Sequence, residues 1–276
     1  MPQLVLETCR KNGIDTQVVS IPLPGCDMLD GESAVRICKI ANNGLGDLSQ
    51  KHPSRFIGFA LLPIQAGGSQ AAEELRRAVN DLGLKGAFLH SNANGLYLDS
   101  EEYLSVLREA NRLSIPVFVH PTIPHSISNM ESHRLATTFG LQADLSLSIL
   151  RLILSSALDS PSLSSLKIVV SHLGSTLPFI SNRMDDELGF AKAPETRITK
   201  RPGDYLRGMY VDTVTMDNMP LEFAVRYYGA NHIVFGSDYP FWETSKHLVA
   251  IEKSNLTSDD KDYILHKTAD ELLALF

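Results

Sequence analysis

The chain alternates short apolar runs with longer segments in which apolar residues recur every three or four positions. The short runs are rich in Val, Ile, Leu and Phe and show no polar face. That pattern is typical of parallel strands buried on both sides of a sheet. We therefore predict seven strands: Gln17–Ile21, Phe56–Leu62, Gly86–Leu89, Val117–Val119, Ile168–Val170, Met209–Val211 and Ile233–Phe235.

The longer segments predict helices that alternate with these strands, and such alternation is typical of a parallel sheet with right-handed crossovers. Seven strand–helix units in 276 residues favour a (β/α)₈ TIM-type barrel over a doubly wound sheet. No phosphate-binding loop of the Walker or GxGxxG kind is present. No change of composition marks a linker, so one barrel domain over residues 1–276 is expected. The predicted helices are Glu32–Lys51, Gln70–Leu82, Ser100–Leu113, His133–Leu158, Leu177–Leu188, Pro220–Tyr228 and Ser258–Phe276.

Composition narrows the functional classes. The hydrophobic fraction of 43% is enough for a sizeable core, and a net charge of −7 argues against a nucleic-acid partner. The three cysteines lie in the first forty residues without a CxxC pair, which indicates small buried hydrophobes in a reducing compartment. The sequence shows neither a signal-peptide pattern nor an apolar membrane span, so we expect a cytoplasmic protein with no membrane partner.

Titratable residues follow four of the predicted strands. His120, His172 and Asp238 come directly after the fourth, fifth and seventh strands, and His90 follows the third. In a TIM barrel the carboxyl ends of the strands meet at one mouth, so we predict that the first three side chains lie within roughly 12 Å of one another. Imidazoles and a carboxylate can ligate a divalent metal or transfer protons. A single histidine after a strand is often structural, so His90 and His125 could have either a functional or a structural role.

Three short strings carry a resemblance to a known family. VFVHP at 117–121, SHLG at 171–174 and GSDYPF at 236–241 resemble the strand-five, strand-six and strand-eight motifs of the amidohydrolase-2 family. Within that family the chain is similar to the aminocarboxymuconate semialdehyde decarboxylase group, which includes decarboxylases of resorcylate, dihydroxybenzoate and 6-methylsalicylate. The resemblance implies an amidohydrolase-type barrel that catalyses non-oxidative decarboxylation of a small aromatic or unsaturated carboxylic acid.

The same resemblance implies roles for individual residues. His120 and Asp238 would be metal ligands, and His172 and Asp238 would be catalytic residues that move protons. Arg183 would reach the substrate carboxylate of a neighbouring subunit, which implies a homodimer. The implied cofactor is a divalent metal, zinc before manganese or magnesium. Together with Arg183, the candidate substrate-binding residues are His90, His125 and Trp242. We expect the remaining histidines on helices or at the surface: His52, His133, His232, His247 and His266.

The sequence departs from the family at its start. The family's first strand ends in His-x-His and supplies two metal ligands, but no two histidines here stand two apart. The first predicted strand matches the family's second, so a barrel without its first strand is expected, with weak or absent metal binding. A truncated decarboxylase, a natural short form that uses His90 or His125, and a catalytically silent family member all remain open. A metal-dependent hydrolase on the same scaffold is the alternative enzyme.

Overall fold

The computed structural model describes residues 2–187 and 197–275. The strands are β1 Gln17–Val19, β2 Phe56–Leu61, β3 Gly86–His90, β4 Asn92–Ala93, β5 Leu96–Tyr97, β6 Val117–His120, β7 Ile168–Val170, β8 Tyr210–Asp212 and β9 Ile233–Val234. Seven parallel strands form one sheet in the order β1-β2-β3-β6-β7-β8-β9, and the antiparallel pair β4–β5 forms a small hairpin beside it. All seven predicted strands are confirmed.

Helices follow most strands of the sheet, as the alternating pattern predicts. Side chains cap the first turn of two of them: Asp30 accepts a hydrogen bond from Ser33 N at the start of α2 (Gly31–Lys51), and Thr257 and Asp260 form a capping box at the start of α10 (Ser258–Asp262). The helices are α1 Pro2–Lys11, α2 Gly31–Lys51, α3 Gly68–Asn80, α4 Glu101–Leu113, α5 Leu141–Leu154, α6 Leu177–Glu187, α7 Pro202–Arg207, α8 Asn218–Tyr228, α9 Thr244–Lys253, α10 Ser258–Asp262 and α11 Thr268–Leu273.

The sheet curls into the predicted TIM-type barrel, and the described part of the chain supplies seven of its strands. Two apolar clusters line its inner face; one includes Leu273 of α11, the other includes Leu272, and Phe118 touches both. The C-terminal helix therefore closes one end of the barrel, as expected. Within the described residues, no strand pairs with the free edge of β1 or of β9. The other cluster members are Ile57, Phe59, Phe88, Val169 and Val234, with Tyr210 and Ala269 packed against them.

One predicted helix begins later than its apolar pattern suggests. His133 and Arg134 have φ angles of 55° and 58°, which are left-handed and incompatible with helix. The segment Ala136–Gly140 is a π-helical turn, and α5 runs from there to Leu154. The prediction of helix from His133 to Leu158 was therefore wrong at both ends. The last residues of two other predicted helices, Leu188 and Phe276, lie outside the described residues.

The three cysteines are buried free thiols, as the composition suggested. Among the helices that the structure describes, none combines the length and the apolar character needed to cross a bilayer.

Candidate metal centre at the barrel mouth

The three predicted strand-end residues meet at the carboxyl edge of the sheet. His120 ends β6, His172 begins the turn after β7, and Asp238 lies in the loop after β9. One ligand atom from each lies within 4.8 Å of the other two. The predicted convergence is confirmed, and it follows from the shared direction of the parallel strands.

Local contacts orient the His120 ring. Its Nδ1 lies 2.9 Å from Pro121 O, and donation to that carbonyl leaves Nε2 unprotonated in the neutral imidazole. Nε2 in turn lies 3.4 Å from Asp238 Oδ1. The His172 ring stands beside it, with the two ring centroids 5.3 Å apart. An unprotonated Nε2 next to a carboxylate is suited to metal ligation.

Two of the three residues sit on left-handed backbone. The φ angles are 54° at His172 and 52° at Asp238. A residue other than glycine in this conformation costs on the order of 1 kcal/mol or more, and such residues concentrate at functional sites. In the same turn, Gly174 has a φ of 75°, and a Cβ added to it would collide with the Tyr228 hydroxyl oxygen. Only glycine fits there, so the turn that presents His172 is tightly specified.

Burial keeps His172 neutral. Removal from solvent lowers its pKa to about 4, and the nearby His120 and His247 add to that effect while Asp238 opposes it. His247 was expected on a helix or at the surface; it lies on α9 but is buried, with Nδ1 2.7 Å from Thr215 O. A neutral His172 can ligate a metal or accept a proton at pH 7.

Asp212 is a site residue that the strand-end analysis did not single out. Its carboxylate is buried at the end of β8, and Oδ1 accepts hydrogen bonds from His172 N at 2.7 Å and Val214 N at 2.9 Å. Burial raises its pKa to about 7. Asp212 therefore holds the turn that carries His172. Its place after Tyr210 and Val211 is the same strand-end signal that marks Asp238, and that signal could have found it.

We expect Asp212→Leu to lower the free energy of unfolding by about 2–4 kcal/mol, because two partly buried backbone N–H groups would lose their acceptor. Asp212→Asn keeps an acceptor oxygen and should cost much less. Urea denaturation of both variants measures the difference. Equal losses in the two variants would mean that the hydrogen bonds to His172 and Val214 are not the source of stability.

The donor set fits a divalent metal. Two imidazole nitrogens and one carboxylate oxygen, all within 4.8 Å, match the three protein ligands of many catalytic zinc sites. The same mixture of nitrogen and oxygen donors also suits manganese. His120, His172 and Asp238 are therefore the residues that could hold a metal at this mouth.

The four other predicted site residues differ in how far they are buried from solvent. His90 is buried on β3, where it is the register partner of His120. His125 is exposed, and its ring packs against Gly95 of the turn between β4 and β5. Arg183 is exposed on α6, and Trp242, 44% exposed, lies in the loop after Asp238. Their substrate-binding roles stay predictions.

Comparisons with known proteins agree with this architecture. The amidohydrolase-2 family profile, described as Amidohydrolase, matches residues 15–275. A 2-amino-3-carboxymuconate-6-semialdehyde decarboxylase of Dictyostelium discoideum is 29% identical over 244 residues, covering 87% of this chain and 67% of the relative. A gamma-resorcylate decarboxylase of Rhizobium sp. (strain MTP-10005) is 30% identical over 250 residues, covering 86% of this chain and 76% of the relative.

A solved structure shares the whole fold. The dihydroxybenzoic acid decarboxylase from Polaromonas sp. JS666, with bound manganese and the inhibitor 2-nitroresorcinol, superposes with a TM-score of 0.92 at 26% identity. The match covers 100% of this chain and 86% of the Polaromonas chain. The family profile matches almost the entire chain, and one relative is 30% identical, so common ancestry with this family is established. The chain therefore belongs to the amidohydrolase-2 family.

Proposed function

We propose that this chain is a non-oxidative decarboxylase of a small hydroxylated aromatic acid, within the wider class of aromatic and unsaturated carboxylic acids. The observation that carries the proposal is the cluster of His120, His172 and Asp238 at the mouth of a barrel whose named relatives are decarboxylases. Fold alone would not support it, because barrels host many chemistries. The proposal is supported by three observations together: the donor atoms, their position at the barrel mouth, and the activities of the named relatives.

The mechanism follows from the placement of these side chains. A divalent metal, when bound, would draw negative charge from the carboxylate and neighbouring hydroxyl of the substrate. Asp238 donates a proton to the ring carbon that bears the carboxylate. The carbon–carbon bond then breaks, its electron pair restores the aromatic ring, and CO₂ leaves. His172, neutral and within 4.8 Å, returns a proton from solvent to Asp238.

The test is CO₂ release from a panel of hydroxybenzoic acids, including 2,6-dihydroxybenzoate and 6-methylsalicylate, with zinc, manganese or magnesium added. We expect one or more acids to lose CO₂ and give the matching phenol. Turnover of ester, amide or lactone substrates without any CO₂ release would establish the hydrolase alternative instead. No turnover of either kind would favour a catalytically silent family member. Addition of a first strand bearing His-x-His would then distinguish a truncated decarboxylase, which should gain activity, from a catalytically silent family member, which should not.

We also propose that the bound metal is zinc or manganese and that the protein is cytoplasmic. Zinc is supported by the two histidine nitrogens, and manganese by the Polaromonas decarboxylase structure, which contains it. A cytoplasmic location is supported by three free thiols, which suit a reducing compartment. One barrel domain is supported by the family match over 15–275.

A homodimer is supported by the surface around Arg183. Phe179 lies on the same helix, α6, and is 83% exposed. Its ring lies 6.4 Å from that of Phe223 on α8, and Met219 at the start of α8 is 74% exposed. Adjacent exposed apolar side chains favour association. We propose that this surface lies at a subunit interface, across which Arg183 binds the carboxylate of the partner's substrate.

Arg183→Ala should raise KM for an acidic substrate about 10- to 100-fold, the usual value of a hydrogen bond to a charged group. Arg183→Lys should rescue it poorly, because an ammonium cannot replace the guanidinium fork. Arg226→Ala, which removes an exposed arginine from α8, is the matched control. Mixing Arg183→Ala with Asp238→Asn should recover activity, because one site of the mixed dimer is then intact. Wild-type kinetics in Arg183→Ala would refute the role.

A further inference from the structure

The peptide group that joins Pro121 to Thr122 links the candidate metal centre to a buried set of polar side chains. Its carbonyl oxygen lies 2.9 Å from His120 Nδ1, and its N–H donates to Ser91 Oγ at 3.0 Å. Because a peptide group is planar, its C=O and N–H turn only as one unit. The bond to Ser91 therefore also fixes the direction of the carbonyl that the His120 ring contacts.

Ser91, which directly follows β3, is held from two sides. Its backbone N–H donates to His120 O at 2.8 Å, and its carbonyl accepts a hydrogen bond from Ser148 Oγ on α5. The residue is fully buried. Its hydroxyl donates to the carboxylate of Asp144, which also lies on α5. The oxygen that receives the Thr122 N–H is thus held in place by both neighbouring elements, β6 and α5.

Asp144 decides which way the Ser91 hydroxyl points. Its buried carboxylate accepts hydrogen bonds from three side chains: Ser91 Oγ, Asn92 Nδ2 at 2.8 Å and Tyr97 OH at 2.9 Å. A carboxylate only accepts, so the hydroxyl hydrogen of Ser91 is directed at Asp144 and the oxygen lone pair is left for the Thr122 N–H. The donors then follow one another in a single direction, from Thr122 through Ser91 to Asp144, and such a chain strengthens each of its bonds.

The same cluster also holds the next residue of the loop after His120. Ile123 is 42% exposed, so apolar packing fixes it weakly. Its carbonyl oxygen lies 3.3 Å from Nδ2 of Asn92, the second side chain that donates to Asp144. Ser91 and Asn92, both bound to one carboxylate, therefore set the path of the chain where it leaves the candidate metal ligand.

We propose that Ser91 and Asp144 are positioning residues for the metal ligand His120. Asp144 orients the Ser91 hydroxyl, and the hydroxyl holds the peptide group after Pro121. The carbonyl of that group directs the His120 ring so that Nε2 faces the metal. The inference rests on the metal centre of the proposed decarboxylase. A hydrogen-bond partner on the second nitrogen of a metal-bound histidine fixes the ring and makes it a better ligand, which is worth about 10- to 100-fold in metal affinity.

Ser91→Ala should weaken Mn²⁺ binding about 10-fold, the lower end of the effect of losing a direct partner of a metal ligand. Tyr97→Phe is the matched control, because it also removes one hydroxyl from Asp144 but leaves the bond between Ser91 and Thr122. It should keep the wild-type affinity, and electron paramagnetic resonance measures all three dissociation constants. Wild-type affinity in Ser91→Ala would overturn the proposal. So would an equal loss in both variants, which would mean that the cluster only supports the fold, or a wild type that binds no Mn²⁺.

A double-mutant cycle tests the part of Asp144. Asp144→Ala should weaken Mn²⁺ binding as well, and the double variant with Ser91→Ala should bind no more weakly than the weaker single variant, because Asp144 acts through Ser91. Additive losses would overturn the role of Asp144. If Asp144→Ala does not fold, Ser91→Ala alone remains decisive.

Hydrogen exchange tests the relay without metal. The Thr122 amide should exchange at least about 10-fold faster in Ser91→Ala than in the wild type, because its hydrogen bond is lost. In Tyr97→Phe the exchange should stay as slow as in the wild type. An unchanged rate in Ser91→Ala would overturn the proposal. If exchange and Mn²⁺ affinity change as expected and no acid releases CO₂, the decarboxylase assignment fails while the positioning of His120 stands.

Discussion

Asp238→Asn is expected to reduce kcat for decarboxylation by at least about 1000-fold, within the usual contribution of general acid catalysis. The substitution keeps the shape of the side chain and one oxygen beside His120 but removes the group that carries the proton. No other described carboxylate belongs to the cluster with His120 and His172. The loss should therefore appear in kcat, because the substrate can still bind.

CO₂ release from the best acid of the panel measures this effect, and the dissociation constant of 2-nitroresorcinol measures binding separately. Asp204→Asn is the matched control, because Asp204 forms an ion pair with Arg207 on α7, away from the cluster. Equal turnover in Asp238→Asn and wild type would remove Asp238 from the mechanism. A loss of inhibitor binding as large as the loss of kcat would mean that Asp238 acts mainly as a ligand.

His120→Ala is expected to weaken binding of Mn²⁺ or Zn²⁺ by at least about 100-fold, because even the loss of an indirect partner of a metal ligand costs 10- to 100-fold. His120 supplies one of three donors, and two donors make a poor site. The turnover supported by added metal should fall in parallel.

Titration with Mn²⁺, followed by electron paramagnetic resonance, gives the affinities. His266→Ala is the matched control, since His266 is an exposed histidine that pairs with Asp270 and is not part of the cluster. Unchanged affinity in His120→Ala would exclude the cluster as the site.

The sequence by itself determined the strand–helix order and the convergence of the cluster. Burial on both faces makes a parallel strand apolar throughout, so the seven strands were visible as short runs, with bounds within two residues of those observed. Parallel strands that alternate with helices end at one edge, so residues as distant as His120 and Asp238 could be placed together without coordinates. The two-residue strands β4 and β5 were missed because they are too short to show a period.

The tertiary structure decided what each side chain contacts. Ser91 and Asp144 are 53 positions apart, and Asp212 reaches back 40 positions to the backbone of His172. Neither pair has a periodic signature, because a hydrogen bond depends on side-chain direction and loop path, not on spacing along the chain. The burial of His247 against Thr215 O depends in the same way on how α9 packs. The order of the strands was enough to predict where the candidate site lies. The protonation states and orientations of its side chains depend on packing between distant segments, which only the tertiary structure shows.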